Sequence, residues 1–211
     1  MLYDASIREP LYLYMEQVFG KIRFLEEKTM GQSRADAIMV MPHALCGMEI
    51  KSDADTYTRL SRQVRDYDQY FDYNLLVIGE SHMKHASKHI PASWGLLMVR
   101  EEADHTPSFH WLRLPKANPC LKMEKKLSLL WRPELNRLLA LNHLPAYAQR
   151  SKKSVASSIL QKVSAPLLHT QISAVLYERD YTTIAQEIQA FRASRGKRPR
   201  RRRRTARLFR V

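Results

Sequence analysis

Cysteine is nearly absent, occurring only at Cys46 and Cys120. Two thiols cannot make a disulfide framework, and neither belongs to a CxxC pair of the kind that binds zinc or does redox work. A reducing, intracellular setting follows as the expectation. No apolar run approaches the roughly 18 residues of a membrane span, and the opening residues Met1-Leu2-Tyr3-Asp4 lack the basic-then-apolar order of a signal peptide. The chain is therefore expected to be cytoplasmic and to make no membrane contact. No internal repeat is visible. Acidic residues are missing from one stretch: Arg195 to Val211 holds ten basic side chains and no carboxylate. The net charge of +14 thus leaves only +4 on the residues before it, and a polyanion is the partner such a distribution suits.

What is present suffices for a core. With 211 residues and 45% hydrophobic content, one compact domain and a smaller appendage can both be built. Leu11, Tyr14, Met15, Val18 and Phe19 recur at helical spacing, predicting an amphipathic helix over 6–20 that ends near Gly20. Residues 22–29, 34–41 and 44–51 read as strands, the last two separated by Pro42-His43. Tyr57, Leu60, Val64, Tyr67 and Phe71 predict a second helix within 55–71, followed by the continuous apolar strand Tyr73 to Gly79. A helix over 81–89 and a strand over 94–100 complete an α-β-β-β-α-β-α-β order. Alternating elements of this kind imply an α/β fold, a mixed central sheet flanked by helices.

Pro115 and Pro119 mark 113–124 as a linker, and 125–192 contains helix-like stretches without strand alternation. The expected organisation is a domain over 1–112, a small all-α domain over 125–192, and a basic tail over 193–211. That tail cannot form a packed core and is read as disordered when free.

The chemistry concentrates around one hairpin. With Pro42-His43 as a two-residue turn, Asp36 comes directly opposite Glu49. Like charges so placed are destabilising unless a cation lies between them. Alternation along the strand puts Lys51 on the face of Glu49 and turns Ile50 to the other layer. Two carboxylates suit Mg²⁺ (or Mn²⁺), which takes carboxylates, waters and a substrate phosphate, better than zinc. Gly47 leaves a second register open, because a bulge there slips the pairing by one. A surface hairpin with an ordinary ion pair is the bland alternative.

The residues R-A-D (34–36), followed by E-I-K (49–51), resemble the signature of the PD-(D/E)XK, or restriction-endonuclease-like, nuclease superfamily. Gln63 and Tyr67 on the next helix match the QxxxY motif of its RecB-like branch, and Ala35 replaces the proline of the name. From Ile7 to Val99 the chain is similar to small bacterial and prophage members. The resemblance implies a metal-dependent deoxyribonuclease with Asp36 and Glu49 as metal ligands and Lys51 beside the attacking water. It places Gln63 and Tyr67 beside the active site, and Glu9 where many members carry a further acidic residue.

His82, His85 and His89 have helical spacing but no completing ligand, so a solvated face is the better reading. The run Leu138 to Leu144 with Ser151-Lys152-Lys153 resembles SAP-like DNA-binding modules, and a plain helical hairpin explains it as well. Lys152, Lys153, Arg198, Arg200, Arg201, Arg202, Arg203 and Arg204 are the expected phosphate contacts, without sequence preference. For the tail, a nuclear targeting signal or a solubilising end stays open. A protein partner or a homodimer also stays open. The rival to the nuclease reading is a non-catalytic module that binds nucleic acid or a partner, or a nuclease component active only in a complex.

Overall fold

Ile7, Leu11 and Met15, one helical turn apart, are the buried stripe of helix α1 (Asp4–Phe19) in the computed structural model, which describes residues 3–194. Gly20 ends the helix at φ +71°, its amide donating to the Glu16 carbonyl at 2.9 Å. Strands β1 (Arg23–Met30), β2 (Ser33–Val40) and β3 (Leu45–Lys51) follow as an antiparallel meander. Helix α2 (Leu60–Tyr70) carries the chain over to β4 (Tyr73–Gly79), parallel to β3. Strand β5 (Gly95–Glu101) runs parallel to β4, and β6 (Pro107–Arg113) closes the sheet antiparallel. The six strands lie in the order β1-β2-β3-β4-β5-β6.

The expected helix over 81–89 is instead a pair of short 3₁₀ turns, Glu80–His82 and Ala86–Lys88. Local polar contacts compete with the helical ladder there. Asp53 Oδ1 accepts from the Ser81 amide at 3.1 Å, and His82 Nε2 lies 2.9 Å from the Ser52 carbonyl. His85 and His89 are exposed, and among the described residues no three His, Cys, Asp or Glu side chains group to hold a metal.

Both faces of the sheet are covered. Ile7, Leu11 and Met15 of α1 lie in one core with Ala37, Met39, Met48, Ile50 and Val77. The opposite face gathers Leu60, Val64 and Tyr67 of α2 with Ile38, Val40, Leu45 and Leu76. Helices α3 (Met123–Ser128), α4 (Arg132–Leu141), α5 (Lys152–Lys162) and α6 (Ala165–Tyr177) belong to this second core, through Leu127, Leu135, Ile159, Leu168 and Ile172. Ser151 caps α5, its hydroxyl accepting from the Ser154 amide at 3.2 Å. A buried polar knot adds to the apolar contact: Lys126 Nζ lies 2.6 Å from Asp72 Oδ2, and His169 Nδ1 lies 2.8 Å from Asp72 Oδ1.

Residues to Glu178 form one compact unit, so the boundary expected at 113–124 falls inside it. Pro115 and Pro119 belong to an extended crossing that returns the chain to the sheet, with the Asn118 amide donating to the Asp72 carbonyl at 2.8 Å. A second unit begins at Arg179 and contains α7 (Tyr181–Ser194), which Asp180 caps at the Thr182 amide, 2.9 Å away. The α/β architecture, a mixed sheet flanked by helices and followed by further helices, is the one expected. Among the described residues, no helix is long and apolar enough to cross a membrane. The arginines at 198 and 200 to 204 lie outside the described residues.

Candidate active site at the parted ends of β2 and β3

The Pro42-His43 turn sets the register from which the site grows. The amide of Met41 donates to the Ala44 carbonyl at 2.9 Å, and Val40↔Leu45, Met39↔Cys46, Ile38↔Gly47 and Ala37↔Met48 pair in unbroken succession. No bulge occurs at Gly47; an added Cβ there would stand 2.2 Å from the Phe71 ring and 2.6 Å from Tyr67. Glycine is required for close approach of α2 to β3.

Asp36 and Glu49 would be the next pair, and here the ladder stops. The β1 ladder also skips this level: Glu26↔Ala37 and Lys28↔Ala35 pair, while Glu27 between them sits at φ +53°. A non-glycine residue in the left-handed region is uncommon and costs conformational energy. The main chain of Asp36 is therefore served by side chains. Its N–H faces the Tyr67 hydroxyl at 3.3 Å, and its carbonyl accepts from Arg8 Nη1 at 3.1 Å. Its carboxylate spans the gap instead of a main-chain bond, Oδ2 accepting from the Ile50 amide at 2.8 Å.

Glu49 lies beside it at 1% exposure, with Lys51 at 4%. Lys51 Nζ and Gln63 Nε2 both bond to Glu49 Oε1, and the Tyr67 hydroxyl lies 2.9 Å from Glu49 Oε2 and from the Met48 carbonyl. Burial, and then the charges of Glu49 and Asp36, hold the Tyr67 phenol far above its ordinary range, so it is a protonated donor. Burial first, and then the charge of Glu49, push the Asp36 carboxyl up to about 7, against the pull of the Ile50 amide, Lys51 and Arg8. Those cations do not cancel the conflict between the two carboxylates. A divalent cation fits what remains: two neighbouring carboxylates, one still proton-hungry, and the buried Gln63 Oε1 without a protein partner.

These groups form the floor of a cleft of about 560 Å³, with Arg8, Arg34, Arg59 and Arg62 among its walls. Arg34, Arg59 and Arg62 are exposed. Four of the expected residues, Asp36, Glu49, Lys51 and Gln63, line it directly. Tyr67 does not; it is fully buried and touches the site through Glu49 and Asp36. Glu9 stands apart, exposed and outside the cleft lining. One residue along a helix turns the side chain by about 100°, and the cleft receives Asp4 and Arg8 instead, an i,i+4 pair at 2.9 Å. Arg8 also reaches Glu27 at 3.3 Å and Asp36 Oδ1 at 3.5 Å. Its role was not legible in sequence, because a lone arginine on an amphipathic helix reads as solvated surface. Lys152 and Lys153 are exposed at the start of α5, outside this cleft.

The chain belongs to the family described as bacteriophage P4 protein cII, which it matches over residues 21–199. No curated protein matches it. Among solved structures, SfsA of Pyrococcus furiosus in complex with Ca²⁺ is similar at 11% identity and a TM-score of 0.32, over 53% of this chain. The chain spans 60% of that protein's length.

Proposed function

We propose that this member of the phage family is a metal-dependent nuclease of the PD-(D/E)XK type that hydrolyses phosphodiester bonds in DNA. The observation that carries the reading is the convergence of Asp36, Glu49 and Lys51 where β2 and β3 part, on the floor of an arginine-walled cleft. Central strands seldom bury charges without a use for them.

Asp36 and Glu49 would hold Mg²⁺ or Mn²⁺. The bound ion supplies a polarised phosphate and a more acidic water. Lys51, already beside Glu49, would orient such a water or meet charge developing on the phosphate. Gln63 fixes Glu49 through its amide nitrogen, and its buried Oε1 has no hydrogen-bond partner. Tyr67 is a positioning residue, holding Glu49 and the parted strands. Arg34, Arg59 and Arg62 supply positive charge for the phosphate backbone, and Lys152, Lys153 and the arginines at 198 and 200 to 204 would add further phosphate contacts. A cytoplasmic setting suits this reading.

Purified protein incubated with single-stranded, duplex and branched DNA, and with RNA, should cleave at least one DNA substrate with Mg²⁺ or Mn²⁺ and none with EDTA. One observation favours a second reading, a non-catalytic binding module: Glu49 has three donors without any metal. That reading predicts salt-sensitive DNA binding and no cleavage under any metal.

A further inference from the structure

The active-site cleft does not end at its arginine wall. Glu27, Thr29 and Gly31 line it on one side and line a neighbouring depression on the other. That second depression, about 360 Å³, is completed by Lys28, Trp131, Ser128 and Lys152. Ser128 and Lys152 in turn border a third, about 430 Å³, that adds Lys153. The three depressions adjoin in succession through these shared lining residues, from Asp36 and Glu49 past the β1–β2 turn to the start of α5, and together outline a candidate groove.

Lys28, Lys152 and Lys153 outnumber the one carboxylate of the two outer depressions beyond the junction, the exposed Glu124 at the far end. Lys28 Nζ sits 4.9 Å from the centre of the Trp131 ring, a cation–π contact that restrains a long side chain. Lys152 Nζ donates to the Ser128 carbonyl at 2.9 Å, which places its ammonium across the groove. Lys153 follows on the same helical turn. At the junction with the cleft the acidic Glu27 is already engaged, 2.6 Å from Arg34 and 3.3 Å from Arg8.

We infer that this groove is the path of a single nucleic-acid strand entering or leaving the catalytic cleft, with Lys28, Lys152 and Lys153 as successive contacts to its phosphates. The inference rests on the nuclease reading for which end of the strand is acted on. The binding itself does not need the metal. Phosphate contacts of this kind hold a strand in place and read no sequence.

The test uses the full chain and a fluorescein-labelled single-stranded oligodeoxynucleotide of about 16 nucleotides, the upper range of common single-strand footprints. Binding is followed by anisotropy in EDTA across a salt series. The variant Lys28→Glu/Lys152→Glu/Lys153→Glu is compared with Lys84→Glu/Lys88→Glu, a charge change at exposed lysines away from the groove. The groove variant should bind at least about tenfold more weakly than the control, and its salt slope should fall by about 2, near 0.7 per lost phosphate contact. The neutral variant Lys28→Gln/Lys152→Gln/Lys153→Gln, gentler on the fold, should show a smaller loss in the same direction. Equal affinity and slope for the groove and control variants overturn the path. A parallel Mg²⁺ incubation separates the two claims. If the wild type never cleaves but the groove variant still loses binding, the path stands and the nuclease reading falls. If the wild type cleaves and the groove variant binds and cleaves like the control, the path alone falls.

Discussion

The hydroxyl of Tyr67 lies 2.9 Å from Glu49 Oε2 and 3.3 Å from the amide nitrogen of Asp36. One phenol thus holds both carboxylate-bearing strands at the level where their ladder ends. Tyr67→Phe removes this brace, taking the acceptor from the Asp36 N–H and the one hydroxyl hydrogen that Glu49 Oε2 and the Met48 carbonyl share. The expected costs are about 1–3 kcal/mol of stability in urea denaturation and a loss of about 10–100-fold in Mg²⁺ affinity. Unchanged metal affinity contradicts the positioning role.

The raised Asp36 carboxyl sets a pH dependence whose sign can be worked out. Its value of about 7 in the fold exceeds the ordinary 3.8, so the native state holds this proton more tightly than the unfolded chain does. Between those two values the native state binds more protons, and its stability falls as pH rises through that window, then levels off. On the proposed metal reading Mg²⁺ would compete with the same proton, so its affinity should rise with pH and flatten above about 7. Asp36→Asn should abolish both trends, and should raise the metal-free melting temperature at pH 8 while eliminating the Mg²⁺-induced shift. Calorimetric titrations over pH 5.5–8.5 check this.

Gly47→Ala probes the packing beneath the site. The new methyl would stand 2.2 Å from Phe71 and 2.6 Å from Tyr67, an overpacking that costs about 1–3 kcal/mol. Because the displaced ring belongs to Tyr67, metal affinity should fall together with thermal stability. A stability loss that leaves metal affinity intact would show that Phe71 alone gives way.

The Lys126–Asp72 pair tests how the later helices are joined to the sheet. Lys126 is fully buried, and Asp72 also accepts from the Leu45 amide at 2.7 Å. Lys126→Ala takes the lysine from a largely buried carboxylate, leaving it the Leu45 amide and His169, and should destabilise by about 3 kcal/mol, the low end for breaking a buried ion pair. Unfolding should remain a single transition through Glu178, since the helices and the sheet share one core. Two separated transitions contradict that shared core.

The hairpin was readable from sequence because its register hangs on two turn residues, Pro42 and His43, and strand alternation then places Asp36, Glu49 and Lys51. The four-residue spacing of Gln63 and Tyr67 likewise put both on one face of α2. Other features depend on distant partners. Nothing local in Ile7 to Leu11 says that Arg8 rather than Glu9 turns into the cleft; that is decided by where α1 crosses the sheet. The break in both ladders at Asp36 required the neighbours Glu27 and Tyr67 to be seen together. Strand β6 alternates as P-S-F-H-W-L-R, but its polar residues and short reach masked it. Residues after 113 looked separate because the sequence does not reveal that Leu127, Leu135 and Ile159 pack on the core that already holds Ile38 and Val40.

The central claim is that Asp36, Glu49 and Lys51 cleave a phosphodiester bond with a divalent metal. Its most direct test is the initial rate of DNA cleavage by wild type and Lys51→Ala, side by side in Mg²⁺ and in EDTA, with each protein's folding checked by circular dichroism. The account predicts Mg²⁺-dependent cleavage by the wild type, a fall of about 10²–10³-fold in Lys51→Ala, as for loss of a group that stabilises developing charge, and no cleavage in EDTA. Wild-type rates in Lys51→Ala, or equal cleavage with and without metal, would contradict it.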